Sequence, residues 1–441
     1  MNENSKLWDV SKLIKNDDGS IILSTQRING IDPVENVVVK LIQNGAVDNS
    51  FGLNGYQVLD VTIDNGLAAK KQNDGKLVFF GGQNNSKIIR LLPNGQFDST
   101  FGISGEVLLP STDSDFNFNN NTLVFQNDKI LIIERKSGMS TKSIFRYNND
   151  GTLDTTFGVN GVVENINSDN IFIDTFNNIV GVSGYSSKYT VEKFDPNGYA
   201  ISAFGNNGVL KVNIPFVFAE IISAYMDNQN RIIVSSGDVT TLNQTSVFRI
   251  NSDGTIDNSF SYSFSTVNHA IFPILQQNTG YYLAGAKLDS QYESTNVFLA
   301  RVAENGSIDT SFTQNGYYVE SNANLKSAES IIYNSDGSII LSGEYNDGVS
   351  NKIFVAKYIV SNLATNEIEK NELQVQNPFK NELKIRSKEE IKSLELYDLQ
   401  GKVILKSFGN LLDTSYLNKG LFILKTVTIS GKVFINKVIK N

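Results

Sequence analysis

The sequence predicts an all-β chain, a ring of repeated four-stranded sheets followed by a small β-sandwich, and three observations predict it. A Gly is followed six residues later by a Phe at Gly45/Phe51, Gly95/Phe101, Gly151/Phe157, Gly198/Phe204, Gly254/Phe260 and Gly306/Phe312. The Phe-to-Phe steps are 50, 56, 47, 56 and 52 residues, the length of a propeller blade and too long for leucine-rich or helical-pair units. Short apolar runs recur in step: Ile21 to Leu23, Leu77 to Phe80, Ile130 to Ile133, Ile179 to Val182, Ile232 to Val234, Tyr281 to Ala284 and Ile339 to Leu341. Continuous apolarity means strands covered on both faces, as blades stacked around a channel require. Seven runs predict a seven-bladed β-propeller.

Each unit opens with a β-rich run and an Asx-Gly turn such as Asp18-Gly19, which supplies the positive φ angles of a tight hairpin. The apolar run is the second strand. A third follows a variable loop and usually ends near an Arg or Lys, as in Ile88 to Leu92 or Ile144 to Tyr147. A second Asx-Gly turn leads into Asp-Ser/Thr-Ser/Thr-Phe-Gly, where Asp48, Asp98, Asp154, Asp257 and Asp309 are placed to accept onward backbone amides in Asx turns. The Phe residues that follow (Phe51, Phe101, Phe157, Phe204, Phe260, Phe312) are expected between blades, and the next Gly in a conformation closed to other residues. Unit four has Ile201 for the Asp, while Ser261 and Thr313 replace the Gly in units five and six, which marks a packing signature with tolerance. Fourth strands are expected from Gly55, Gly105, Gly161, Gly208 and Gly316, with Phe264 standing in for unit five. The seventh unit stops after its third strand near Val360 and lacks its outer strand.

This order of DG, apolar strand, DG, DTSFG and NG, from about residue 8 to 360, resembles the delta-60 repeat family of bacterial surface propellers. From Gln376 onward the chain reads QNPFKNELKI, SLELYDLQGKVIL, LNKGLFILK and GKVFINKVIKN. That order resembles the type A C-terminal sorting domain of the Bacteroidota type IX secretion system, with Asn377, Pro378, Leu396, Tyr397, Asp398, Gly401, Lys402, Gly420, Lys437 and Lys440 at the family's motif positions. The resemblance implies an immunoglobulin-like domain recognised by the outer-membrane translocon and its shuttle, then cleaved, with the cargo secreted or attached to the cell surface. The residues themselves give seven short strands (373–377, 381–387, 391–400, 402–410, 412–417, 421–430, 432–440) between polar turns, a small sandwich.

Charge and composition draw the domain boundary. Residues 364–441 hold 13 Lys/Arg against 9 Asp/Glu, net +4, which leaves 25 against 37, net −12, for residues 1–363. The polar segment SNLATNEIEKNEL, 361–373, reads as the linker. The acidic propeller carries no Lys/Arg stripe for nucleic acid, and no apolar stretch is long enough to span a bilayer. Zero Cys and one His exclude disulfides, iron-sulfur clusters, thiolate zinc and multi-His cages. No cofactor is expected.

Several candidates have plainer readings. Asn148, Asp150 and Asp154, like Asn251, Asp253 and Asp257, fall at calcium-loop positions one, three and seven, but position twelve is Val159 or Tyr262 where a bidentate Glu is needed. They read as turns. His269 has no triad-like partners in sequence, and Trp8 reads as inter-blade packing. Tyr281, Tyr282, Tyr317, Tyr318, Tyr185, Tyr189 and Tyr292 are the better candidates for a glycan or protein surface.

Two functions from different classes follow: a secreted binding or adhesion propeller for glycan or protein, or a secreted polysaccharide hydrolase or lyase using the axial funnel. The second predicts acidic residues converging on one rim with raised pKa values. Regular unit lengths favour binding. The chain starts MNENSKLWDV without a basic or apolar leader, so a signal peptide and a DTSFG-like closing segment are expected upstream in the precursor.

Overall fold

The computed structural model describes residues 5–29, 35–61, 67–82, 86–109, 120–135, 141–236, 246–260, 262, 269–277, 280–291, 293–334, 336–349, 351–359, 373–375, 377–387, 389–398, 402–430 and 432–440. Two compact units divide at Ser361/Asn362. Among the described residues every strand ladder is antiparallel, and a three-residue 3₁₀ turn at Asn120–Thr122 is the one helical element.

In the first unit each sheet follows the chain order of its strands. The first holds Ser5–Lys15, Ile21–Asn29, Glu35–Leu41 and Tyr56–Leu59; the second Ala68–Lys71, Leu77–Gly81, Lys87–Leu91 and Glu106–Leu108. The third holds Leu123–Gln126, Lys129–Glu134, Lys142–Tyr147 and Val162–Ile166. Further on, His269–Gln277, Gly280–Leu288, Ser294–Val302 and Tyr317–Val319 make a four-stranded sheet, and Leu325–Tyr333, Ser338–Asn346 and Asn351–Ile359 a three-stranded one. Six of the seven apolar runs lie between two partner strands, and Ile179 to Val182 has one described partner, Asn170–Ile173. Leu77–Gly81, for example, pairs with Ala68–Lys71 on one side and Lys87–Leu91 on the other, and it is buried along its whole length. That double cover is why it carries no polar alternation.

One departure from the sequence expectation concerns the fourth and fifth units. Asn170–Ile173, Ile179–Phe194, Val209–Met226, Ile232–Ser236 and Ser246–Ile250 form a single five-stranded sheet. Val209–Met226 is shared: Leu210 pairs with Val191 at one end, and Ala224 with Val234 at the other. The run VLKVNIPFVFAEIISAYM contains no Asx-Gly turn to break it, so the outer strand of one unit continues into the inner strand of the next. Ile179–Phe194 doubles back, since a Cβ placed on Gly181 would lie 3.7 Å from that of Glu192. The fourth strand expected from Phe264 lies outside the described residues.

The stack of sheets closes on itself through side chains. Leu13, Ile21 and Leu23 of the first sheet pack with Ile332 and Ile340 of the last. The Leu13 amide donates to Ser330 Oγ at 3.2 Å, and Lys15 Nζ to the Tyr333 carbonyl at 3.3 Å. Burial of five aliphatic side chains contributes on the order of 1.5–3 kcal/mol each. The last sheet has three strands among the described residues, and Ile359 on its outer strand is 70% exposed.

The second unit has two sheets. One orders Leu373–Val375, Glu382–Ser387 and Leu411–Asp413; the other Val403–Ser407, Ile391–Tyr397, Gly420–Thr428 and Val433–Lys440. Their shared core is Phe379, Leu383, Ile385, Leu394, Leu396, Leu412, Leu424 and Val438. The linker residues 360–372 lie outside the described residues.

Candidate functional site

The repeat motif is where neighbouring units are joined. Phe51, Phe101 and Phe157 are fully buried, Phe260 and Phe312 nearly so, and Phe204 is half-buried. Each of the first four is roofed by the turn Gly of the next unit that the same repeat supplies. A Cβ on Gly95 would come within 2.8 Å of the Phe51 ring, and one on Gly198 within 2.7 Å of Phe157. Only hydrogen fits there. The following Gly52, Gly102 and Gly158 adopt φ of 54°, 53° and 52° and donate their amides to Asn94, Asp150 and Asn197 of the next unit at 2.7–2.8 Å.

The Asp residues divide their two oxygens. Asp154 Oδ1 accepts Thr156 Oγ1 at 2.6 Å and the Thr156 amide at 3.2 Å, while Oδ2 meets Arg146 Nε and Lys129 Nζ, both at 2.7 Å. Arg146 Nη1 reaches the Pro196 carbonyl in the next unit at 2.6 Å, and its guanidinium lies 4.4 Å from the Phe157 ring centre. Arg90 with Asp98, Phe101 and Asn149 repeats this, as does Arg249 with Asp257, Phe260 and the Glu304 carbonyl. Asp48 pairs with Lys40 and Asp309 with Arg301. In the fourth unit, where Ile201 replaces Asp, Lys193 still stands 5.2 Å over Phe204 and donates to the Ser252 carbonyl. The Asp carboxyls are held down against burial, Asp48 to about 2 chiefly by the Ser50 hydroxyl and then by Lys40. The sequence placed these Asp as turn formers and missed their cations. The signal was the Arg or Lys eight residues upstream of each.

The remaining candidates resolve in the same direction. Asp150 and Asp253 accept Thr152 and Thr255 at 2.7–2.9 Å, so their loops spend carboxylate oxygens on turns. No group of three or more metal-binding side chains occurs among the described residues. His269 is buried, stacked 4.6 Å from Phe298 and hydrogen-bonded to Tyr262 at 2.6 Å. The tyrosine surface is corrected at three positions, since Tyr189, Tyr281 and Tyr282 are buried between sheets, where their hydroxyls serve structural partners, while Tyr317 and Tyr318 are half-buried. Tyr281 donates to Asp227 at 2.8 Å and Tyr189 to the Gly254 carbonyl at 3.0 Å. Apolar flanking strands bury these rings, and a polar tip at the end of a strand reads alike in either setting. The side chains of Trp8 and Tyr185, and Tyr292 altogether, lie outside the described residues.

One feature able to take a ligand is on the axis. A cavity of about 500 Å³ is lined by the innermost strands of the sheets, from Lys12 in the first and Lys70 in the second to Glu329 and Ser330 in the last. The 3₁₀ turn brings in Asn121, whose Nδ2 donates to Asn170 Oδ1 at 3.1 Å and the Ala224 carbonyl at 2.8 Å. Phe172, Ile222 and Phe272 supply apolar wall beside Ser223. Burial lowers the Lys70 ammonium to about 8, and the charge of Lys12 beside it adds to the fall. Glu329 is the acidic residue of this lining, and it accepts the Ser327 hydroxyl at 3.1 Å. Among the described residues every Asp or Glu with a displaced pKa is displaced downward.

Asn377, at the start of the C-terminal motif set, clamps the first and last segments of the unit. Asn377 Nδ2 donates to the Lys437 carbonyl at 3.0 Å and Oδ1 accepts the Ile439 amide at 2.9 Å, so the start of the unit is tied to its last strand. Lys440 is buried and donates to the carbonyls of Lys380 and Thr414 at 2.8 and 2.5 Å. Leu396 is core, Tyr397 donates to Glu395, Asp398 caps a turn by accepting the Lys402 amide, and Gly420 pairs with Lys440. Lys437 is exposed, and Pro378 follows Asn377 at the clamp. Gly401 lies outside the described residues.

Residues 377–441 match the family model described as a secretion system C-terminal sorting domain. Residues 72–101, 136–157 and 230–260 match a domain of unknown function, DUF5122, described as a beta-propeller. The chain is a β-propeller carrying a secretion sorting domain. That sorting domain points to secretion and cell-surface localisation through the type IX system. Structural relatives include the β-propeller domain of the Trilobed protease from Pyrococcus furiosus, at 11% identity and TM-score 0.45 over 82% of this chain and 97% of that one. Polysaccharide lyase Uly1 aligns at 9% identity and TM-score 0.45 over 79% and 90%. Pyrococcus horikoshii acylaminoacyl peptidase aligns at 10% and 0.45 over 96% and 57%. No curated protein matches the sequence.

Proposed function

We propose that the propeller is the binding module of an exported cargo and that its ligand, a glycan or a surface protein, enters the axial cavity, while the C-terminal unit serves only as the address. The seven apolar runs and the DTSFG spacing support a seven-bladed ring of delta-60 type from a Bacteroidota surface protein. The observation that carries the binding reading is the cavity of about 500 Å³ itself, within the usual range for ligand sites. Its wall is mixed, with amides and hydroxyls between aromatic and aliphatic side chains. A hydrolase that uses paired carboxylates needs two on one rim, and this lining offers Glu329 with two lysines. Binding is the better account.

The test is a glycan array and a pull-down of surface polymers with the full chain, repeated with Ser223→Trp, which projects an indole into the cavity and obstructs it. Binding lost in the obstructed variant supports the reading. Binding unchanged in that variant places the ligand elsewhere and ends it.

A further inference from the structure

Lys70 is an anomaly in this fold. The Arg and Lys residues of the repeat turns are spent on carboxylates or carbonyls, but the Lys70 ammonium has no hydrogen-bond or ion-pair partner among the described residues and lines the axial cavity. It also stands next to a second ammonium. Lys12 and Lys70 come from innermost strands of the first two sheets, Ser5–Lys15 and Ala68–Lys71, at positions opposite Ser24 and Val78, and the charge of Lys12 acts on Lys70 across the cavity wall. An anion seated on Lys70 offsets both the burial of that ammonium and the repulsion it feels from Lys12. With Glu329 in the same lining, the three charges sum to one positive charge, which suits one anionic group rather than a polyanionic run.

The rest of the wall narrows the class. Phe172 and Phe272 offer apolar surface, and Asn170 and Ser223 offer donors and acceptors at the height of the cavity. An inorganic anion would use the lysines and leave this wall idle; a sugar ring uses both, its C–H face on the aromatics and its hydroxyls on the amide and hydroxyl. We propose that the axial cavity binds an acidic saccharide, its carboxylate or sulfate seated on Lys70 beside Lys12 and its ring against the Phe172 and Phe272 side of the wall. This rests on the binding reading above and names its ligand class.

The experiment titrates the full chain with three matched probes: galacturonate oligomers, the same oligomers reduced to neutral galactose, and a sulfated galactose oligomer. It is run on the unaltered chain, on Lys70→Met, on Lys70→Arg and on the cavity-obstructing Ser223→Trp. The expected result is at least about ten-fold tighter binding of an acidic probe over the neutral one, a preference abolished in Lys70→Met and kept in Lys70→Arg. The carboxylate and sulfate arms decide which anion is native. Equal affinity for acidic and neutral probes, lost only in Ser223→Trp, overturns this inference and leaves the cavity reading standing. Binding of no probe overturns the inference, and binding untouched by Ser223→Trp overturns both.

Discussion

The guanidinium of Arg146 stands 4.4 Å from the centre of the Phe157 ring while its Nε holds Asp154 at 2.7 Å. Because the same arginine also reaches the Pro196 carbonyl, one side chain joins the turn, the buried ring and the next unit. Arg146→Ala leaves Asp154 buried beside Lys129 alone and is expected to cost about 3 kcal/mol. A double-mutant cycle with Asp154→Ala, read by urea unfolding, should give a coupling above ~1 kcal/mol. Additive single effects would break the link.

Gly198 and Gly45 have nearly the same backbone, φ of 88° and 87°, yet a Cβ at Gly198 meets the Phe157 ring at 2.7 Å and one at Gly45 meets nothing within 4 Å. Gly45→Ala therefore isolates the conformational cost, about 1 kcal/mol. Gly198→Ala adds a clash with a buried aromatic and is expected to cost about 2 kcal/mol more. Comparing the two melting curves separates turn from packing.

This contrast also shows how far the sequence was legible. The Gly-to-Phe spacing announced a repeat, and the turn chemistry of Asp18-Gly19 and its kin placed the hairpins. The spacing did not say that the Gly of one unit covers the Phe of the previous one, because that contact joins residues 41 to 50 positions apart and leaves no periodic trace of its own. Lys70 was invisible for a related reason. In AAKK it looks like a strand-end lysine, and only the closure of the ring turns it toward the axis and beside Lys12.

Asp48 has its carboxyl lowered to about 2 by the Ser50 hydroxyl and Lys40. A depressed carboxyl adds stability above its unfolded pKa and loses it as pH falls from about 4 toward 2. Asp48→Asn should be less stable than the unaltered chain at pH 7 and show a flatter decline over that window. Parallel declines in an acid titration followed by circular dichroism would contradict the assignment.

Asn377→Ala removes two hydrogen bonds to the last strand, at Lys437 and Ile439. The expected loss is about 1–2 kcal/mol, confined to the C-terminal unit. Hydrogen exchange should quicken at the Ile439 amide while the amides of Leu77–Gly81 keep their protection.

Lys70, lowered to about 8 by burial and by Lys12, opposes folding while protonated. Below pH 8 the cost is present in full; between about 8 and 10.5 the folded state sheds the proton first and stability rises with pH. Lys70→Met should thus stabilise the protein by about 1–2 kcal/mol at pH 7, with the gain fading across that window. Lys12, Glu329 and Tyr225 share the cavity, so the same scan on Lys12→Met tests the neighbour's part.

The most direct measurement is competitive amine labelling of the full chain at pH 8, read residue by residue by mass spectrometry with and without galacturonate oligomers. A seated acidic sugar protects Lys70 and Lys12 while exposed lysines such as Lys437 label as before. Equal labelling of Lys70 in both samples would contradict an axial site.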